Sequence, residues 1–195
     1  ADLEDAEGSA AGAHLSPRGV LRVTAPVQFG QRHIAPILRA FLDDYPAVTA
    51  TTLFVDRVVD LIDEGLDVAL RIGELPDSTL TATRVGTVRR VVVAAPGYLA
   101  RNGTPAAPAE LALHTVIQPL NLHEAPLWPF VAGGRTQTAR ITARLSVNTV
   151  SAALDAAIAG WGITRLLSYQ VAGALAAGEL SEILAAWEDR QMPIH

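Results

Sequence analysis

At 195 residues, half of them hydrophobic and only 18% charged, the sequence is long enough for one large or two small packed domains and too apolar for a disordered chain. Its net charge of −5 lacks the basic surplus of a free-standing nucleic-acid binder. There is no cysteine, and all fifteen basic residues are arginine, which excludes thiol nucleophiles, disulfides, Schiff-base lysines and P-loop lysines.

No stretch approaches the roughly 18 consecutive apolar residues of a membrane-spanning helix. The first residues carry Asp2, Glu4, Asp5 and Glu7, the opposite of a signal peptide's positive start, so a cytoplasmic location is expected. Without an initiator Met the chain reads as beginning mid-protein. Residues 1–18, rich in Ala, Gly and Glu and closing with Ser16-Pro17-Arg18, read as a tail or linker remnant.

From there the pattern alternates. A strand at Val20–Ala25 leads into a helix over Phe29–Asp44, whose apolar residues Ile34, Ile37, Leu38, Phe41, Leu42 and Tyr45 fall on one face. A strand at Val48–Val55, a short helix around Arg57–Glu64, a strand at Val68–Ile72 and a strand region within 81–95 follow. The continuous run Val91 to Ala95 reads as a strand buried on both faces. Beyond Pro96 comes a helical turn at Gly97–Arg101, then weak strands near Thr115–Gln118, Trp128–Ala132 and Ala139–Val147. Asn148 is expected to cap a helix that buries Val150, Ala153, Leu154, Ala157, Ile158 and Trp161. A strand at Gly162–Leu167, a helix at Ser168–Ala177 and a last strand at Leu180–Trp187 complete the pattern. Strands alternating with helices predict an α/β fold of two Rossmann-like subdomains, 19–93 plus 164–195 and 94–163, joined by a two-crossing hinge with a cleft for a small ligand.

Four segments in register resemble the effector-binding domain of LysR-type transcriptional regulators. Gly19 to Pro26 with Phe29-Gly30 is similar to its opening strand and turn. Leu66 to Gly73 followed by Asp77 to Leu80 resembles its third strand and loop. Ala95 to Pro105 resembles its crossover, and Asn148 to Ile163 its glycine-ended helix. Leu167-Ser168 stands where the family usually has a proline, and the chain stops at His195, short of the family's last strand and helix. The resemblance implies a periplasmic-binding-protein type II-like fold and a small-molecule effector. It also implies self-association as a homodimer or tetramer, and DNA binding only through a winged helix-turn-helix outside this chain.

The candidate ligand wall is Thr24, Ala25, Pro26, Val27, Gln28 and Phe29, where a strand ends in a helix start and the amides of Val27, Gln28 and Phe29 suit a carboxylate or polar head. Arg71, with Gly73 beside it, either holds a carboxylate in bidentate fashion or pairs with Asp67, Glu74 or Asp77. Arg57 is a weaker candidate, set against a solvated arginine. Asn148 and Thr149 read as a ligand-facing edge that doubles as a cap, with Gln118 and Trp128 as outlying guesses. His14, His33, His114, His123 and His195 show no metal-ligand spacing, and no cofactor or metal is expected. Asp60, Asp63, Glu64 and Asp67 read as a solvated helix face, and Arg84, Arg89 and Arg90 as a strand edge or a subunit contact. No catalytic constellation is legible, so the expectation is a sensor of an organic acid and not an enzyme. An extracytoplasmic solute-binding protein is the alternative with the same architecture.

Overall fold

The computed structural model describes residues 16–57, 59–75, 79–120, 127–188 and 190–195. The expected tail at 1–15, His14, His123 and the pair Asp77-Ser78 lie outside the described residues. The chain divides into two compact units at Leu70/Arg71.

In the first unit, β1 (Gly19–Ala25) is the centre of a three-stranded parallel sheet between β2 (Val48–Phe54) and β3 (Val68–Ala69). The register of β1 on β2 runs without a break from Gly19↔Val48 to Ala25↔Phe54. The helix that follows, α1, runs through three contiguous segments, α-helical Val27–Phe29, π-helical Gly30–Ile34 and α-helical Ala35–Asp44. Pro36 has no N–H to give to the preceding turn, and the wide π turn lies directly before it. Gly30 faces Phe54, and a Cβ there would lie 2.4 Å from the ring, so only glycine allows the helix this close to β2.

Two expectations fail in this unit. The apolar stripe of α1 is not a buried face: none of its six residues is buried, with Ile37 64% and Tyr45 37% exposed. No helix forms around Arg57–Glu64. Asp60 instead accepts from the Ile62 and Asp63 amides at 2.8 and 3.1 Å, an Asx-type turn that competes with helix.

The second unit is built on β4 (Gly86–Ala94). Its sheet runs β10 (Ser181–Ile183), β4, β9 (Ile163–Leu167), β5 (Val116–Pro119) and β8 (Ala143–Val147), with β11 (Gln191–Ile194) also pairing β4. Val91, Val92 and Val93 have no exposed surface, as their apolar run implies; full burial stabilises each by about 1.5–3 kcal/mol. Helices α2 (Pro96–Asn102), α3 (Val150–Ile158) and α4 (Ser168–Ala176) belong to this unit. Ala153 and Ala157 are fully buried, small side chains that let α3 lie close on the sheet.

Several boundaries differ from the sequence pattern. The stretch expected as one strand over Ala139–Val147 is two, β7 (Arg135–Arg140) and β8, and β7 forms a hairpin with β6 (Leu127–Ala132). Gly133 and Gly134, with φ of 56° and 74°, make the two-residue connection that requires positive φ. Thr149, and not Asn148, caps α3, accepting from the Ala152 amide at 3.4 Å. Trp161 is 40% exposed and lies under the Arg144 guanidinium. The stretch expected as a last strand at Leu180–Trp187 is β10 followed by a 3-10 turn at Ala185–Trp187, and β11 comes after it.

Gly30→Ala forces the helix off Phe54 and is expected to lower stability by about 1–3 kcal/mol, or roughly 3–10 °C in thermal unfolding. Phe54→Leu in that background should recover part of the loss; a G30A protein that melts like wild type contradicts this packing.

Candidate functional site

The ligand wall expected in the first unit lies where β1 gives way to α1. Thr24 and Ala25 are fully buried, and the backbone of Ala25 accepts from Val55 at 3.0 Å. The Val27 amide, one of three offered to a ligand, already donates to Asp56 Oδ1 at 3.0 Å. A carboxylate from the end of β2 thus meets the helix start, the position an anion would take. Thr24 Oγ1 and Gln28 Oε1 are buried without a hydrogen bond among the described residues. Arg57 forms a surface ion pair with Glu64 at 3.0 Å, of the exposed kind worth about 0–1 kcal/mol.

The other sequence candidates belong to the second unit. The Arg71 amide donates to the His195 carbonyl and the Arg71 carbonyl accepts from the His195 amide, both at 2.9 Å, and the Gly73 amide donates to the Pro193 carbonyl. Gly73 sits at φ 116°, a conformation that favours glycine. Partial burial holds the Arg71 guanidinium below its usual pKa range by desolvation. Gln118 is buried on β5 beside Ser146 of β8, and exposed Asn148 and Thr149 follow at the end of β8. Gln118 and the Asn148-Thr149 pair are therefore close, at the C-terminal ends of adjacent parallel strands, where α/β sheets bind ligands.

A pocket of about 80 Å³ in this unit gathers residues that the sequence pattern did not single out. Arg90 of β4 and Arg165 of β9 face it with Glu188, Arg190 and Met192. The hairpin supplies Pro129, Val131 and Thr136. Among the described residues, three guanidinium groups stand against one carboxylate in the lining, beside an apolar wall. Alternation along β6 explains the hairpin's part: Trp128 and Phe130 are buried while Pro129 and Val131 point the other way. Trp128, an outlying guess from the sequence, stands behind the pocket under Arg165.

Arg165 and Glu188 form a buried pair, their side chains 6% and 4% exposed. Arg165 Nη2 donates to Glu188 Oε2 at 2.8 Å and to the Pro129 carbonyl at 2.6 Å, and the guanidinium lies 4.6 Å from the Phe130 ring centre. Neighbouring Arg89 is turned elsewhere. It pairs with Glu182 of β10, whose hydrogen bonds raise its pKa, and with Arg90 it sits in the interior of the sheet and not on a strand edge. Among the described residues no group of three or more His, Cys, Asp or Glu side chains is placed to hold a metal ion.

The fold is mixed α/β, and its second unit carries a small arginine-lined pocket. Residues 14–195 match the family model of the LysR substrate binding domain, and the chain belongs to that family. It is 34% identical over 194 residues to an uncharacterised HTH-type transcriptional regulator of Haemophilus influenzae, covering 100% of this chain and 67% of the relative. It is also 34% identical over 174 residues to the probable HTH-type transcriptional regulator LtrA of Klebsiella pneumoniae, covering 88% of this chain and 55% of the relative. Among solved structures, the regulatory domain of CrgA, a LysR-type transcriptional regulator from Neisseria meningitidis, matches with a TM-score of 0.79 at 28% identity, covering 91% of this chain and 87% of that one. Full-length AphB, the Vibrio cholerae virulence activator, matches with a TM-score of 0.84 at 25% identity over 98% of this chain and 65% of that one. The chain thus spans between about half and two thirds of the curated relatives' length. Its relatives are transcriptional regulators and not enzymes, its fold is that of the LysR regulatory domains, and the solute-binding alternative is not favoured.

Removing one partner of the Arg165–Glu188 pair leaves a buried charge, so Arg165→Ala is expected to cost about 3–5 kcal/mol in urea unfolding. The paired replacement R165M/E188L should lose far less than the two single changes together. Equal losses would mean that the pair carries no buried-charge penalty.

Proposed function

We propose that this domain senses a small organic acid in the arginine-lined pocket of the second unit. In the whole protein it adjusts how a winged helix-turn-helix outside this chain holds its promoter. The observation that carries the reading is the pocket's charge: Arg90, Arg165 and Arg190 against Glu188, beside Pro129, Val131 and Met192. A guanidinium fork matches a carboxylate in bidentate fashion, and the apolar wall suits a compact hydrocarbon body. Gln118, Asn148, Thr149, Arg71 and Gly73 remain proposed ligand contacts of the second unit, apart from the residues that line this pocket. The Thr24–Phe29 turn and Arg57 are kept as the first unit's candidates. There the bond from the Val27 amide to Asp56 argues against a carboxylate at that helix start.

The subdomain division at 94 and 163 belongs to the same proposal, supported by β4 and β9, which pair antiparallel from Arg90↔Leu167 to Val93↔Thr164. Self-association as a dimer or tetramer is supported by the apolar stripe of α1, half-buried with Ile37 and Tyr45 exposed, and by β2, the outer strand of its three-stranded sheet. The reading of the whole protein as a promoter-binding regulator places it in the cytoplasm. No bond is made or broken. The ligand acts through its difference in affinity for two states, typically about 1–3 kcal/mol of coupling.

A thermal-shift screen of benzoate and short aliphatic carboxylates, with the matching amides beside them, tests the pocket. At a hundred times its dissociation constant a ligand adds about 2.7 kcal/mol, a rise of roughly 5–10 °C for a chain of this size. The rise is expected for acids and not for amides, and Arg90→Ala or Arg190→Ala should reduce it. A shift common to acids and amides, or one untouched by both substitutions, removes the arginine pocket from the effector site.

A further inference from the structure

Arg165 faces the pocket, yet its guanidinium is already matched to a carboxylate of the same chain. We infer that Glu188 is a tethered stand-in for the effector's acid group: the effector's carboxylate takes the Arg165 fork, and the Glu188 side chain turns out to water. This rests on the organic-acid reading of the pocket.

The two partners are held unequally. Arg165 is fixed from sides that an exchange would not disturb, by the Pro129 carbonyl at 2.6 Å and by the Phe130 and Trp128 rings at 4.6 and 5.8 Å. Among the described residues the Glu188 carboxylate is held by Arg165: Nη2 donates to Oε2 at 2.8 Å and Nε lies against Oε1. Without a second anchor of the kind Arg165 has, the carboxylate is the member of the pair that can leave. Its backbone is joined to the hairpin by the single bridge Val131↔Glu188. The turn before it is entered through Leu184, a non-glycine residue at φ 56°, and is tied down at Trp187, whose Nε1 donates to the Ala106 carbonyl. The turn can stay in place while Glu188, one residue beyond it, moves.

The exchange conserves charge at the buried site. One carboxylate replaces another, so Arg165 is never left alone out of water, and the released carboxylate regains its hydration. A ligand whose site is closed most of the time binds more weakly by the fraction open. Glu188 is therefore a specificity device as well: neutral ligands cannot supply what Arg165 loses.

The test combines binding with hydrogen exchange, using propionate and benzoate as probes on wild type and Glu188→Gln. Both acids are expected to bind wild type and to speed amide exchange several-fold in the stretch at Glu188 and Arg190, beyond the turn. E188Q, which keeps size but removes the competing charge, should bind them about tenfold more tightly, with fast exchange in that stretch before any ligand is added. Binding to wild type that leaves exchange there unchanged or slower overturns the exchange while the organic-acid reading stands. Acids that bind neither protein overturn both. If E188Q does not fold, the wild-type exchange measurement decides alone.

Discussion

A guanidinium taken out of water has to be met on every side, and around Arg165 that requirement organises the arginine-lined part of the second unit. Its charge is met by Glu188, a further donor by the Pro129 carbonyl and its flat face by Phe130. Arg165 and those partners come from three places in the chain, β9, the hairpin and the stretch after β10, which share one interaction. The pocket is the space left where they meet, so its shape depends on this pair before it depends on any ligand. The hairpin has its own reason to be there. Gly133 and Gly134 allow a two-residue turn, and strand alternation then sends Trp128 and Phe130 inward and Pro129 and Val131 toward the pocket.

What the chain reveals without coordinates follows from how local each signal is. The valine run of β4, the βα order and the glycine-ended helix α3 are readable because apolar continuity and helical spacing act within a few residues. Gly133 and Gly134 carry a two-residue hairpin signal that the strand pattern alone passed over, while the expected single strand divides further on, at Ile141-Thr142. The arginine pocket was not legible. Arg90, Arg165, Glu188 and Arg190 come from distant parts of the chain and are joined only by strand pairing, and nothing near any one of them announces the others. Arg89 and Arg90 looked like an exposed edge because charged residues in a strand usually are; in the folded chain each finds work in the interior of a sheet.

The first unit shows the opposite failure. The spacing of α1 identifies a helix correctly and says nothing about what covers it, since an apolar stripe is the same signal whether it meets its own sheet or another surface. Gly30 and Pro36 shape that helix more than its stripe does. One lets it approach Phe54, and the other coincides with a widened turn. At its start, Asp56 answers the same helix-terminal charge that made the turn attractive as a binding wall.

The arginine lining has a further consequence. With no lysine anywhere in the chain, the cations facing the pocket are all guanidinium groups, which hold their charge throughout the range in which cells live. They are also beyond the reach of the acylation chemistry that neutralises lysine amines. On the proposed reading, an acid would meet cations of constant charge, so the guanidinium groups would add nothing to the pH dependence of its binding.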